Sequence, residues 1–254
     1  MAKRIVAPKE VREFCTEHNL TTDQFYGREV YPGSLYLNSV TTLIPGFNPK
    51  VVGNLFLNYL TTLIPGFNPT VGGGLYLDSI TTLIPGFNPK VGGGLSLNYL
   101  TTLIPGFNPT VGWSLSLDSI TTLIPGFNPK VGGNLVLRSL QLLSLGDISA
   151  VGGLSLVGCT SLRSLGSNLK SVGYLELEGT PIYVIPEDLV IKEMVYLDGP
   201  DRYIPTAEAR RILQDFKDSI KGNGDAGEIL LDRLGRPLWQ IAYATDFLNG
   251  DIQV

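Results

Sequence analysis

Charge, sulfur and histidine are all scarce in this chain, and each shortage removes a class of function. Of 254 residues only 17% are charged, with a formal net charge of -4, so no basic face is available for nucleic acid or an anionic membrane surface. The two cysteines, Cys15 and Cys159, lie far apart in sequence and give neither a metal-ligand spacing nor a disulfide framework, which suits a reducing compartment. The single histidine, His18, has no Cys, His or carboxylate constellation beside it and is expected to be a packing residue rather than a ligand or base. No run approaches the roughly 20 apolar residues of a membrane span, and the basic start at Lys3 and Arg4 is not followed by an apolar run of signal-peptide length. A cytoplasmic protein is the default expectation, with export by a route that reads no such signal as the alternative.

Catalytic motifs are missing too. There is no Gly-x-Ser-x-Gly, no histidine-based triad, no Walker sequence and no zinc spacing. Gly222-Asn-Gly224-Asp-Ala-Gly227 matches a dinucleotide fingerprint in letters only, because it follows an expected helix instead of a strand. Carboxylates such as Glu187 and Asp188 sit in ordinary solvated segments. No enzyme activity, cofactor or metal is expected.

What the chain has is repetition. Val71 to Lys90 returns at Val91 and again at Val111, a step of twenty residues. Each copy carries Leu-x-Leu, a β-branched or Leu position, Thr-Thr-Leu-Ile, Pro-Gly and Phe-Asn-Pro. A period of this size signals a stacked-repeat solenoid, in which each unit touches only its neighbours. Leu-x-Leu recurs at Leu35, Leu55, Leu75, Leu95, Leu115 and Leu135, then in weaker copies at Leu154, Leu175 and Val195. The expected architecture is a β-rich solenoid of about nine turns of about 20 residues with parallel strands.

Within one copy the residues divide by task. In Leu-x-Leu both leucines point to one face of a strand and the middle residue to the other. In the first copy Val40, Leu43, Phe47 and Val51 complete the inward set, and Phe47, Phe67, Phe87, Phe107 and Phe127 are expected to stack as a column of rings. Burial of such side chains is worth about 1.5–3 kcal/mol each, ample over many turns and inadequate for one. Pro45-Gly46 is the pattern of a type II turn, and Gly72-Gly73 is expected to turn a second corner through conformations closed to other residues. Asn48 and its copies are expected to bridge the backbone of adjacent turns.

The ends differ from the middle. Residues 1–30 form an expected helical N-terminal cap, with Pro8 opening a helix whose Val11, Phe14, Cys15 and His18 share one face, and with Thr21 or Thr22 capping a second short helix. Residues 31–200 are the solenoid. Residues 201–254 form an expected α+β C-terminal cap, a helix capped by Thr206 and ending near Gly222, whose Ala209, Ile212, Leu213, Phe216 and Ile220 share one face, followed by strand-like Ile229–Leu234 and Leu238–Tyr243. Non-repeating ends guard a repeat array against end-to-end association.

Leu175-Glu-Leu-Glu-Gly-Thr180-Pro-Ile182-Tyr-Val-Ile185-Pro186 reads as Leu-x-Leu-x-x-Thr-x-Ile-x-x-Ile-Pro and resembles the short bacterial leucine-rich repeats, with Thr180 where these often carry Asn. The central copies resemble a shorter bacterial and phage variant whose usual form is Leu-Thr-Ser-Leu-Pro-Glu-Gly-Phe-Asn-Pro; here Ile44-Pro45 stands for Pro-Glu. The segment from Glu13 to Phe25 is similar to the leader that precedes such repeats. The resemblance covers about residues 35–200, implies a solenoid of leucine-rich-repeat type, and assigns no activity.

Function then falls to the outward positions. The middle residue of Leu-x-Leu runs Tyr36, Phe56, Tyr76, Ser96, Ser116, Val136; beside it run Asn38, Asn58, Asp78, Asn98, Asp118, Arg138, then Ser39, Tyr59, Ser79, Tyr99, Ser119, Ser139. Stacked about 4.8 Å apart, these columns make a flat face with an aromatic strip at its N-terminal half. Such a face suits binding of another protein, where aromatic anchors carry much of the energy; good strand formers at a surface would look the same. Asn-Tyr-Leu alternates with Asp-Ser-Ile in a forty-residue super-repeat, the mark of recent tandem duplication, so likeness between copies does not by itself certify a column. The alternatives are a structural or self-assembling element, using ladders such as Ile44 and its copies or the chain ends for contacts between copies, and an ice-binding threonine ladder at the Thr41-Thr42 pairs. The latter usually needs Thr-x-Thr, because adjacent threonines on a strand face opposite ways.

Overall fold

The computed structural model describes residues 7–142, 145–180, 182, 189–196 and 203–205. These residues form a parallel β-solenoid of about eight turns with few helices. It divides into two compact units, Met1–Ser119 with Pro129–Gly133, and Ile120–Asn128 with Asn134–Val254. The expected helix and strands after Thr206 lie outside the described residues, as does Leu197 of the ninth copy. No helix among the described residues is long and apolar enough to cross a membrane.

The first unit opens with α1 (Lys9–Glu17) and α2 (Thr22–Phe25). Pro8 is the N-cap of α1 and not its first helical residue, one position earlier than expected. Val11, Phe14 and Cys15 are buried, and the His18 ring packs edge-on to Phe14 at 4.4 Å. Thr21 makes a capping box on α2: its hydroxyl accepts from the Gln24 N–H and the Gln24 amide oxygen accepts from the Thr21 N–H, both at 3.0 Å. Phe14 and Phe25 then meet the Phe47 ring of the first turn at 5.4 and 5.2 Å.

Each turn contributes two short strands. The Leu-x-Leu strands of the first unit are β2 (Leu35–Tyr36), β4 (Leu55–Phe56), β6 (Leu75–Tyr76), β8 (Leu95–Ser96) and β10 (Leu115–Ser116), paired in parallel with each leucine opposite its copy. A second parallel sheet, absent from the sequence reading, holds β1 (Val30–Tyr31), β3 (Lys50–Val51), β5 (Thr70–Val71), β7 (Lys90–Val91), β9 (Thr110–Val111) and β11 (Lys130–Val131). From β3 onward its valines point inward and its Lys or Thr residues outward. The core lies between the two sheets. Val40, Leu43, Phe47 and Val51 are all buried, and the rings of Phe47, Phe67, Phe87 and Phe107 stack 6.2 Å apart.

The Pro-Gly corner is a type II turn in every central copy. The Phe87 N–H donates to the Ile84 carbonyl at 3.2 Å across Pro85-Gly86, and Gly86 has φ +81°, the left-handed value that position demands. Beyond it the asparagines tie turn to turn: the Asn68 amide oxygen accepts from the Asn88 N–H at 2.6 Å while the Asn68 amide nitrogen donates to the Gly86 carbonyl at 2.8 Å. The Gly-Gly corner works differently from the expectation. Gly72 and Gly92 do not lie in the left-handed region; a Cβ on Gly92 would instead run into the Gly72 carbonyl oxygen of the turn beneath. Glycine is needed there for close approach of backbones, and conformation is secondary.

The second unit contains β12 (Asn134–Val136), β13 (Ala150–Ser155), β14 (Ser171–Glu176) and β15 (Val190–Tyr196) in parallel, with antiparallel β16 (Tyr203–Pro205) at the edge. In β13 and β14 the two short strands of a turn run as one, with Val151 opposite Val172 and Leu154 opposite Leu175. Phe127 and Cys159 are buried in this unit, and the Cys159 thiol donates to the Leu137 carbonyl at 2.8 Å. Burial pushes the thiols of both Cys15 and Cys159 up.

Candidate partner-binding face

The outward residues of β2, β4, β6, β8 and β10 form one face of the first unit. Leu37, Leu57, Leu77, Leu97 and Leu117 are buried beneath it, so strand alternation forces Tyr36, Phe56, Tyr76, Ser96 and Ser116 outward. Tyr36 is 68% exposed, and Phe56 and Tyr76 are half-buried by stacking. The Tyr36–Phe56 and Phe56–Tyr76 ring centroids are 4.8 and 4.7 Å apart with planes inclined by 9° and 5°. The strip is therefore a continuous aromatic ladder with one strand spacing per ring.

The neighbouring polar column is largely occupied with the fold. The Asn38 amide oxygen accepts from the Asn58 N–H at 3.1 Å, and the Asp78 carboxylate accepts both the Asn98 N–H at 3.4 Å and the Ser96 hydroxyl. The Ser116 hydroxyl donates to the Asn98 amide oxygen at 2.6 Å and lies 3.5 Å from the Asp118 carboxylate. These residues line the face, but much of their hydrogen-bonding capacity goes to joining turns. The Asn58 amide oxygen departs from this pattern: it is buried with no partner among the described residues. Tyr59 and Tyr99, two turns apart, are 64% and 63% exposed. Of the sequence-derived set, Tyr36, Asn38, Phe56, Asn58, Tyr59, Tyr76, Asp78, Asn98, Tyr99 and Asp118 share the first unit, whereas Arg138 is exposed in the second.

One residue escaped the sequence reading. Trp113 replaces the second glycine of the Gly-Gly corner and is 74% exposed, the most exposed large apolar side chain among the described residues. The signal was present as the single Val-Gly-Trp among Val-Gly-Gly copies.

The threonine pairs are not arranged as strand alternation suggests. Thr41 and Thr42, and likewise 61/62, 81/82 and 101/102, are both exposed, because these residues lie outside any strand. Two of their hydroxyls are engaged between turns at the surface: those of Thr61 and Thr101 donate to the carbonyls of Thr41 and Thr81 at 3.4 and 3.3 Å. Ile44 and its copies are half-buried beside the Pro-Gly corner.

Among the described residues no three His, Cys, Asp or Glu side chains are grouped as metal ligands would be. No family model, curated protein or solved structure matches the chain. The chemistry of the face rests on its own geometry: flat, aromatic and weakly charged.

Proposed function

We propose that this chain is a non-enzymatic protein-binding scaffold that holds a partner on its Leu-x-Leu strand face. The observation that carries this reading is the stacked Tyr36–Phe56–Tyr76 strip flanked by exposed Tyr59 and Tyr99. Rigid aromatic rings held by a hydrogen-bonded sheet lose little conformational freedom on binding, which makes them good anchors. The finer architecture belongs to the same proposal: a solenoid of leucine-rich-repeat type with about nine turns, a helical cap at 1–30 and a C-terminal cap at 201–254, acting in the cytoplasm without nucleic acid, membrane or cofactor.

The test compares wild type with a Tyr36→Ser, Phe56→Ser, Tyr76→Ser variant as immobilised bait in native lysate, with thermal melting of both. Proteins retained by wild type should be lost from the variant while its melting temperature stays close to that of wild type. Equal recovery removes the strip from the account.

Self-assembly is the second reading, and at the N-terminal end the helices weigh against it. Phe14 and Phe25 already cover Phe47, which is 1% exposed, so that end offers no bare core to another copy. A mass that rises with concentration in light scattering would favour it over binding of a different protein. The ice-binding reading has only the outward threonine pairs in its support, and ordinary ice recrystallisation in the presence of the protein would dismiss it.

A further inference from the structure

We propose that the face of the first unit contains an open seat for one planar aromatic ring, over Gly94 and Ser96 and against the bare side of the Tyr76 ring. The seat rests on the scaffold reading above and names what the partner inserts: a Trp, Tyr or Phe side chain of a polypeptide.

The aromatic ladder stops abruptly. Tyr36, Phe56 and Tyr76 occupy three successive turns, but the next two residues of the column are Ser96 and Ser116. Tyr76 therefore stacks on Phe56 through one ring face, and among the described residues no aromatic ring stacks on the other. A flat apolar surface at the end of a ladder favours one more planar group at the same spacing, and aromatic pairs in offset stacks gain energy beyond the area they bury.

The floor beside Tyr76 matches the floor beneath it. The Tyr76 ring leans back along its own strand and covers Gly74: a Cβ on Gly74 would come within 2.8 Å of the ring and its hydroxyl, and Gly74 is buried. One turn on, a Cβ on Gly94 would meet only the Ser114 carbonyl oxygen, at 3.3 Å, and Gly94 is half-buried. Gly94 thus has the same position and the same missing side chain as Gly74 but no ring above it. In the second unit a ring also covers a strand glycine, but from the neighbouring turn: Tyr174, paired with Gly153 across β13 and β14, lies where a Cβ on Gly153 would be. On this fold an aromatic ring over a strand glycine is a recurring fit, and at Gly94 the chain supplies the glycine without the ring.

The surroundings choose among occupants. The Ser96 hydroxyl donates to Asp78, so the floor does not present it as a free donor that an apolar ring would leave unpaired. Asp78 beside it disfavours an anionic group. Tyr99 follows Ser96 by three residues, and Trp113 stands one turn on from Gly93, whose carbonyl accepts the Trp113 N–H at 3.0 Å; both side chains are largely exposed. A polypeptide running along the face would place its ring in the seat while its neighbours meet the Tyr36–Phe56 strip.

NMR titration of the full chain with N-acetyltryptophanamide, N-acetylleucinamide and methyl β-glucoside tests the seat without any partner. The indole probe should shift the Gly94, Ser96 and Tyr76 resonances saturably, and the leucine probe should not. Ser96→Tyr, which lets the chain fill its own seat, should weaken the indole probe by about tenfold or more, while Ser96→Ala should leave it bound. If Ser96→Tyr does not fold, Gly94→Val fills the seat from the same floor.

Absence of saturable shifts at these residues, or undiminished binding to the folded Ser96→Tyr or Gly94→Val variant, overturns the proposal. Preference for the glucoside would make the seat a sugar subsite and overturns it as well. The two readings fail separately: probe binding without partner capture retains the seat and removes the scaffold, and strip-dependent capture without probe binding does the reverse.

Discussion

Phe87→Ala should lower the stability of the chain by about 3–5 kcal/mol, the upper range for deleting a buried aromatic ring. Phe87 is 0% exposed and sits between Phe67 and Phe107, 6.2 Å from each. The cost depends on how far the surroundings can collapse into the void, and here they are held apart. On one side the Asn68 and Asn88 amides fix the spacing of the turns; on the other, β5, β7 and β9 pair directly. A ring lost from such a column leaves a cavity that neither neighbour can enter without breaking hydrogen bonds. Urea denaturation followed by far-UV circular dichroism measures the effect, and a loss below about 1 kcal/mol would mean that the site relaxes or that the column is not core.

Gly92→Val should cost roughly 2–4 kcal/mol by a different route, overpacking together with damaged backbone hydrogen bonds. A Cβ on Gly92 collides with the Gly72 carbonyl oxygen, a backbone atom with no rotamer to yield. Relief requires the corner to move, yet the Gly92 and Gly93 N–H groups donate to Val71 and Gly73 at 2.8 Å. Gly94→Ala is the internal control, because its nearest contact, the Ser114 oxygen at 3.3 Å, asks for a shift of only a few tenths of an ångström. Thermal melting of the two variants side by side should separate them clearly. Equal melting temperatures would contradict the close-approach account of the Gly-Gly corner.

Much of the solenoid is legible in the sequence because its determinants repeat within the chain itself. Leu-x-Leu, Pro-Gly, Phe and Asn recur at a fixed step, so alternation and turn chemistry assign Leu37, Gly46 and Phe47 their places without reference to another turn. The second sheet was not legible. A strand of two residues such as Lys50–Val51 is too short to show alternation, and it exists only because the next copy pairs with it. The same applies to Gly92, whose requirement for a bare Cα is set by an oxygen twenty residues earlier.

The candidate face was legible as a set of columns, but the sorting of those columns required coordinates. Asn38, Asp78 and Asn98 look in sequence like polar recognition residues, and in the structure they carry hydrogen bonds between turns. The aromatic residues remain the exposed part of the candidate face, with Trp113 exposed at a corner where the copies otherwise have glycine. The threonine pairs show the limit of alternation rules. Thr41 and Thr42 both face solvent because no strand exists there to turn one of them inward.

Each copy separates a buried column from an outward face at single-residue resolution. Neighbouring residues Tyr36 and Leu37 embody it, one 68% exposed and the other 0%. Thiol labelling of Tyr36→Cys and Leu37→Cys under native conditions tests it directly, since native Cys15 and Cys159 are buried and their thiols are pushed up by burial, leaving little reactive thiolate. The account predicts that Tyr36→Cys reacts at the rate of a free thiol while Leu37→Cys reacts only when denaturant unfolds the chain. Comparable native rates at the two positions would deny the separation, and faster labelling at Leu37→Cys would place the strand in the opposite register; either result contradicts it.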